Sequence, residues 1–399
     1  MRDRRAMATI AALLLAHASV GMAQSDFTGC VETIEREAVQ DHQVNPVTAR
    51  TLLADLTPSA RVLQLDRQQP EFTSTLAGYL DRRVSESHVR QGRALLEEHQ
   101  PLLDAITREY GVPGRYLIAF WGLETNYGQY TGRLSTLQSL ATLACDPRRA
   151  DFFRGELIAA LQLVDQGTVQ PDQLRGSWAG ALGNFQFLPS VYRDYAVDAS
   201  GDGRADLWES FEDAAVSAAN FLKARGWQAG ERWGREVLLP ADFDLDLLEQ
   251  RQPLEAWADA GLQRADGAAL PVADLEAQLL LPAGVNGPAF LVYENFDVIM
   301  RWNPSRFYAL AVGRLADRLA GAGELTRPPP ATEPLAIETV QRMQEQLNAL
   351  GFDAGEPDGR IGPVTRSALR AFQQQRGIPA DGFPDEVTRQ RLDEQAREI

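Results

Sequence analysis

Cysteine is nearly absent: Cys30 and Cys145 are the two in 399 residues. A disulfide framework is thereby excluded, and a single bridge is the simple expectation in an exported chain, two buried thiols being the alternative. Histidine is as sparse, with four, one of them inside the N-terminal leader, so neither a nucleophilic triad nor a zinc cluster can be assembled. No glycine-rich loop leads into a lysine or a helix in the manner of a phosphate cradle, which removes nucleotide chemistry and any organic cofactor of that kind. Positive charge is short too. Thirty-nine basic residues face 55 acidic ones, for a net charge of −16, and a nucleic-acid partner needs the opposite. Beyond the leader no apolar run is long enough to span a bilayer, so no transmembrane anchor is expected.

What is present begins with Arg2, Arg4 and Arg5, the apolar run Ile10–Ala16 and small residues to Ala23, the layout of a cleavable export signal over 1–23. Cys30 lies too far from that run to read as a lipid-attachment site, which points to a soluble periplasmic protein. Apolar residues at helical spacing, such as Val31, Ile34 and Ala38, make the following stretch mostly helix. Helical patterns return at Asp151–Gln166 and Phe211–Arg225, and Val237–Leu239, Gln278–Leu281 and Ala289–Tyr293 read as short strands. A small mixed insertion at about 232–295 therefore interrupts a mainly α domain over 24–320. The proline-rich linker at 321–336, GAGELTRPPPATEPLA, precedes a separate unit at 337–399. Its helices are expected at Ile337–Leu350, Pro363–Arg376 and Asp385–Gln395, around Leu347, Leu350, Phe352, Leu369, Phe372 and Leu392.

Three stretches can carry chemistry. In FWGLETNYGQY, Glu124 falls in the last turn of an apolar helix beginning near Pro113. An apolar wall and the negative end of a helix dipole both disfavour its ionised form, which suits a general acid. A structural carboxylate paired with an arginine such as Arg133 is the alternative. In SWAGALGNFQFLPSVYRDY, glycines lie among Trp178, Phe185, Phe187 and Tyr192, with the amides of Asn184 and Gln186 between them. That pattern suits a cleft for a sugar, with its apolar ring faces and polar edges, or else a tightly packed helix–turn core. In DASGDGRADLWE the acidic and hydroxyl residues follow a calcium-loop template. Asp198, Ser200, Asp202, the carbonyl of Arg204, Asp206 and Glu209 are the candidate ligands of a structural Ca²⁺, with Glu212 competing for the last place. A solvated acidic turn is the alternative.

With these residues in view, the chain from about Phe27 to Leu319 resembles the membrane-bound lytic murein transglycosylase B family. The motifs that carry the resemblance are GLETNYG, LATLACDPRRADFF, GSWAGALGNFQFLPSVYRDYAVDASGDGRADLW and NFDVIMRWNPSRFYALAVGRLADRL. The C-terminal unit is similar to the small three-helix peptidoglycan-binding domain. The resemblance implies a lysozyme-like α+β catalytic domain acting on peptidoglycan glycan strands, cleaving without water to leave 1,6-anhydro ends. It implies Glu124 as the single acid and base, Ser177 and Gln186 against the sugar, and Asn303 and Tyr308 beside the acid. Trp302 stands where the type member has a tyrosine, and Arg149, alone or with Arg148, would reach the acidic peptide stem or the lactyl group. The family's calcium loop is matched as well. Asn184-Phe185 departs from the family pattern and is expected to reshape the wall beside Gln186.

Overall fold

The computed structural model describes residues 26–67, 74–248 and 250–398; the expected export signal lies outside the described residues. The chain divides into two compact units, one of Met1–Gln68 with Glu124–Phe221, the other of Gln69–Leu123 with Leu222–Ile399.

The first unit is helical. Helix 26–40 buries Val31, Ile34 and Ala38, the face anticipated from their spacing. A disulfide joins its Cys30 to Cys145 across 115 positions of sequence. Helices Thr136–Ala144 and Ala150–Asp165 form the centre and are buried along most of their length, since leucine and alanine leave little polar face to solvate. The Asp165 carboxylate accepts from the Asn45 N–H and the Thr48 hydroxyl, which pins the start of helix Pro46–Leu53. Two residues of strand, Leu134–Ser135, pair antiparallel with Arg175–Gly176. The Cβ that Gly132 lacks would lie 2.1 Å from the Gly176 carbonyl, and the one that Gly176 lacks would lie 1.9 Å from the Ala181 carbonyl oxygen. Only glycine permits that approach.

The second unit holds the antiparallel sheet of the insertion, in the order Arg251–Pro253, Glu276–Leu280, Ala289–Val292, Gly234–Leu238, Gln263–Arg264. All three expected strands are present, each beginning and ending within a few residues of its expected bounds. Trp257, Leu279, Leu291 and Tyr293 make up much of its core. Helix Arg306–Leu319 is buried from Tyr308 to Leu319. The Trp233 indole donates to Asp317 and lies against Gly313, where any larger residue would overlap the ring.

Helices Ile337–Ala349, Pro363–Arg376 and Glu386–Ala396 close the C-terminal part around Leu347, Leu369, Phe372 and Leu392, with Leu350 and Phe352 partly buried. Its polar interior is built twice. The buried Gln344 amide donates to Asp358, to the Arg360 carbonyl and to Thr365, and accepts from the Gly359 N–H. Gln373 repeats this with Asp381, the Phe383 carbonyl, Thr388 and the Gly382 N–H. Saturating every donor and acceptor of a buried amide fixes one arrangement of a small core. Between Leu319 and Ile337 the chain has no helix or strand, yet Glu236 accepts from the N–H groups of Thr326 and Arg327.

Candidate active site

Glu124 stands where the sequence placed it, in the last turn of helix Gly114–Thr125, half-buried. Tyr116, Leu117, Ile118, Ala119 and Phe120 of that helix are fully buried. The helix ends at Thr125, ahead of Gly128, and Asn126 and Tyr127 both adopt left-handed φ, 51° and 58°. Two consecutive non-glycine residues in that region store strain, of the kind found at functional sites. Thr125 holds them in place: its hydroxyl donates to the Asn184 carbonyl at 2.8 Å and accepts from the Gly128 N–H. Glu124 is thereby tied to the segment carrying Gln186.

Gln186 is itself left-handed, φ 49°. Its amide NH₂ donates to the carbonyls of Thr131 and Gly183, at 2.9 and 3.0 Å, so the side-chain oxygen is the acceptor these two bonds leave over. The Ser177 hydroxyl accepts from the Ala181 N–H and closes the intervening turn. The aromatic cleft expected around these amides is only partly formed. Phe185, Phe187 and Tyr192 turn into the core, and Trp178 alone of the four rings keeps some exposure. Packing decides this: Phe187 meets Phe221, and Tyr192 meets Trp208 and donates its hydroxyl to the Ala205 carbonyl at 2.5 Å. Asn184, the departure from the family pattern, is buried and donates to the carbonyls of Leu207 and Trp208.

Arg149 is paired within the first unit, while its side chain keeps 44% exposure. Its guanidinium and that of Arg148 converge on the carboxylate of Asp66, which is 2% exposed, and Arg149 also lies over the Phe153 ring. Asp66 was not singled out in the sequence, because nothing in its local pattern distinguishes a buried acid from a surface one.

The acidic loop differs from its template. Burial opposes the charge on Asp198, but the N–H groups of Gly203, Gly201 and Asp202 and the Ser200 hydroxyl outweigh it and hold this carboxyl below its ordinary value. Asp206 accepts from the N–H groups of Trp208 and Glu209 on one oxygen and from the Arg204 guanidinium on the other. Glu209 and Glu212 are exposed. The acid that closes the loop is instead Asp213, fully buried, which accepts from the N–H groups of Ala199, Ser200 and Asp206. Asp213 lies beyond the twelve-position template, which is why the spacing missed it. Among the described residues no group of three or more His, Cys, Asp or Glu is gathered for a metal ion. The donor chemistry of Asp198, Ser200, Asp202 and the Arg204 carbonyl still fits a hard cation, and Gly203 supplies the left-handed turn.

In the second unit Trp302 packs its ring 4.5 Å from Phe120, and Tyr308 lies 6.2 Å from the same ring. Phe120 precedes Glu124 by one helical turn. The Asn303 side chain accepts from the Ser305 N–H, which starts the helix bearing Tyr308.

A family model described as a transglycosylase SLT domain matches residues 26–317, and one described as a putative peptidoglycan binding domain matches residues 337–392. The membrane-bound lytic murein transglycosylase B of Escherichia coli (strain K12) is 34% identical over 250 residues, covering 61% of this chain and 66% of that protein. The structure of SltB3 from Pseudomonas aeruginosa in complex with NAG-anhNAM-pentapeptide is 42% identical, with a TM-score of 0.86 over 92% of this chain and 99% of that one. The Escherichia coli lytic transglycosylase SLT35 in complex with calcium is 31% identical, with a TM-score of 0.64 over 73% of this chain and 92% of that one. The chain therefore belongs to the transglycosylase SLT family of lytic murein transglycosylases, peptidoglycan-cleaving lyases, and bears a peptidoglycan-binding domain at its C-terminal end.

Proposed function

We propose that the protein cleaves the β-1,4 bond between N-acetylmuramic acid and N-acetylglucosamine without water, with Glu124 as the one acid and base. The observation that carries this reading is the half-buried carboxylate at the end of an apolar helix, followed by two strained residues and tied through Thr125 and Asn184 to the Gln186 turn. Glu124 donates its proton to the glycosidic oxygen as the bond to the muramic C1 breaks. The substrate's own acetamide oxygen supports the positive charge at C1, so a second enzymic carboxylate is not required. The deprotonated Glu124 then takes the proton of the muramic C6 hydroxyl as its oxygen bonds to C1. The side-chain oxygen of Gln186 is suited to the acetamide N–H, Ser177 to a sugar hydroxyl, and Trp302, Asn303 and Tyr308 to the wall next to Phe120. Arg149, oriented by Asp66 and still 44% exposed at its side chain, is suited to the acidic peptide stem or the lactyl group.

On this reading residues 24–320 form the catalytic part, 321–336 the linker and 337–399 the wall-binding part, exported to the periplasm by residues 1–23. Among the described residues no helix is long and apolar enough to cross a membrane. The acidic loop would hold Ca²⁺ through Asp198, Ser200, Asp202 and the Arg204 carbonyl, as a structural ion that fixes the segment between Tyr192 and Asp213.

Two measurements test this. Mass spectrometry of fragments released from purified murein is expected to show anhydromuramic ends, and Glu124→Gln to lower their release by roughly 10²–10⁴-fold with an unchanged melting temperature. Hydrated reducing ends from the parent would make the protein a muramidase instead. Calcium is expected to raise the melting temperature of the parent but not of Asp198→Ala, and equal melting with calcium and with chelator would remove the ion from the account.

A further inference from the structure

Among the described residues two aromatic rings stand exposed, Tyr130 at 60% and Phe152 at 50%. Phe152 has a ring partner, meeting Phe153 edge-on at 5.0 Å. Tyr130 has none: within the described residues its ring makes no aromatic contact and its hydroxyl no hydrogen bond. A solitary exposed ring is ordinary on a protein surface, so the case for a role lies in the backbone that carries it.

In the first unit the segment bearing Tyr130 is bonded to each piece of the candidate site. The Tyr130 N–H donates to the Thr125 carbonyl at 3.0 Å, which fixes it to the end of the helix that carries Glu124. The carbonyl of the next residue, Thr131, accepts from the Gln186 amide at 2.9 Å. Gly132 then lies against Gly176, and Leu134–Ser135 pairs with the strand that leads into Ser177. On the near side the Asn126 amide donates to the Gln129 side chain at 2.7 Å. A backbone held on both sides presents the ring already ordered, so a ligand gains its contact at little entropic cost. The ring is flat, apolar on its faces and polar at its hydroxyl tip. A pyranose matches it, with C–H groups on one face and hydroxyl and amide groups around the rim. The exposed residues before it, Asn126, Gly128 and Gln129, carry no charge, which suits a neutral N-acetylated sugar rather than an acidic peptide.

We propose that Tyr130 stacks on an N-acetylglucosamine of the glycan strand, next to the muramic sugar whose acetamide meets Gln186, and so strengthens the grip on the strand. This contact rests on the wall-degrading reading above. It takes no part in the proton transfers of Glu124; it holds a sugar in line while they occur.

The test uses full-length protein carrying Glu124→Gln, titrated by calorimetry with a peptide-free octasaccharide of alternating N-acetylglucosamine and N-acetylmuramic acid. Saturable binding is expected, weakened about 3–10-fold by Tyr130→Ala in the same background, the loss of one ring face covered by the ligand. Tyr130→Phe and Tyr130→Trp keep a ring and are expected to bind as the parent does. Melting curves should be the same for all four proteins, because the ring is exposed and its backbone bonds are kept. Equal binding by Tyr130→Ala and the parent overturns the proposal. So does Tyr130→Phe as weak as Tyr130→Ala, which would assign the effect to the hydroxyl, and so does the absence of saturable binding to the parent. Anhydromuramic release by the enzyme with Glu124 and Tyr130 intact reports separately on the reaction, so a failure of one reading is distinguishable from a failure of the other.

Discussion

Asp213 shows how much a single side chain can organise. Its two oxygens accept three backbone N–H groups from the acidic loop, and its own burial is complete. Asp213→Ala is expected to destabilise the protein by about 1–3 kcal/mol, since it leaves the buried Asp206 N–H and the part-buried N–H groups of Ala199 and Ser200 without their acceptor. Asp213→Asn, which keeps one acceptor, should recover part of that loss. Urea unfolding of the two variants measures the difference, and equal values would show that the charge and the acceptors count for nothing there. Residues such as Asp213, Asp66 and Thr125 escape a reading of local sequence because their roles depend on partners that only folding brings near.

Among the elements, the paired two-residue strands Leu134–Ser135 and Arg175–Gly176 are too short to be stable alone and depend on close packing at two glycines. Gly176→Ala would drive a methyl group into the Ala181 carbonyl and move the turn that carries Ser177. A stability loss of about 1–3 kcal/mol is expected from such overpacking, together with a fall in murein turnover larger than the stability loss explains. Parallel melting and turnover measurements check this; a variant as active and stable as the parent would show that the turn can shift freely. By contrast, the expected helices were legible because their apolar residues recur at helical spacing, and Pro363–Arg376 has the bounds given by its proline and the following glycine. The aromatic segment at 185–192 was not, because a run of rings and glycines has no periodicity to say which side is solvent.

For the molecule as a whole, the pH dependence of the C-terminal junction follows from Asp381. Burial raises its carboxyl above the ordinary value, against the hydrogen bonds from Phe383, Val285 and Gln373. The folded state therefore holds this proton more tightly than the unfolded chain. Its contribution is largest below the ordinary carboxylate value and declines as pH rises through the raised one. Asp381→Asn removes that slope while keeping an acceptor. Between about pH 4 and pH 7 the melting temperature of the variant is expected to gain on that of the parent. A constant gap across that range would contradict the assignment.

The sequence by itself determined the helical class, the strands of the insertion, the three C-terminal helices and the place of Glu124 in a final helical turn. Each of these rests on spacing, punctuation or composition, which are local and survive without a fold. Only the tertiary structure decided that Cys30 meets Cys145, that Asp66 takes both arginines and that Asp213 closes the acidic loop. It alone showed the two matching glutamine networks and the junction made by Asp381. The physical reason is common to all of these: burial and hydrogen-bond pairing are properties of what the chain brings together, and a buried carboxylate is written with the same letter as a solvated one.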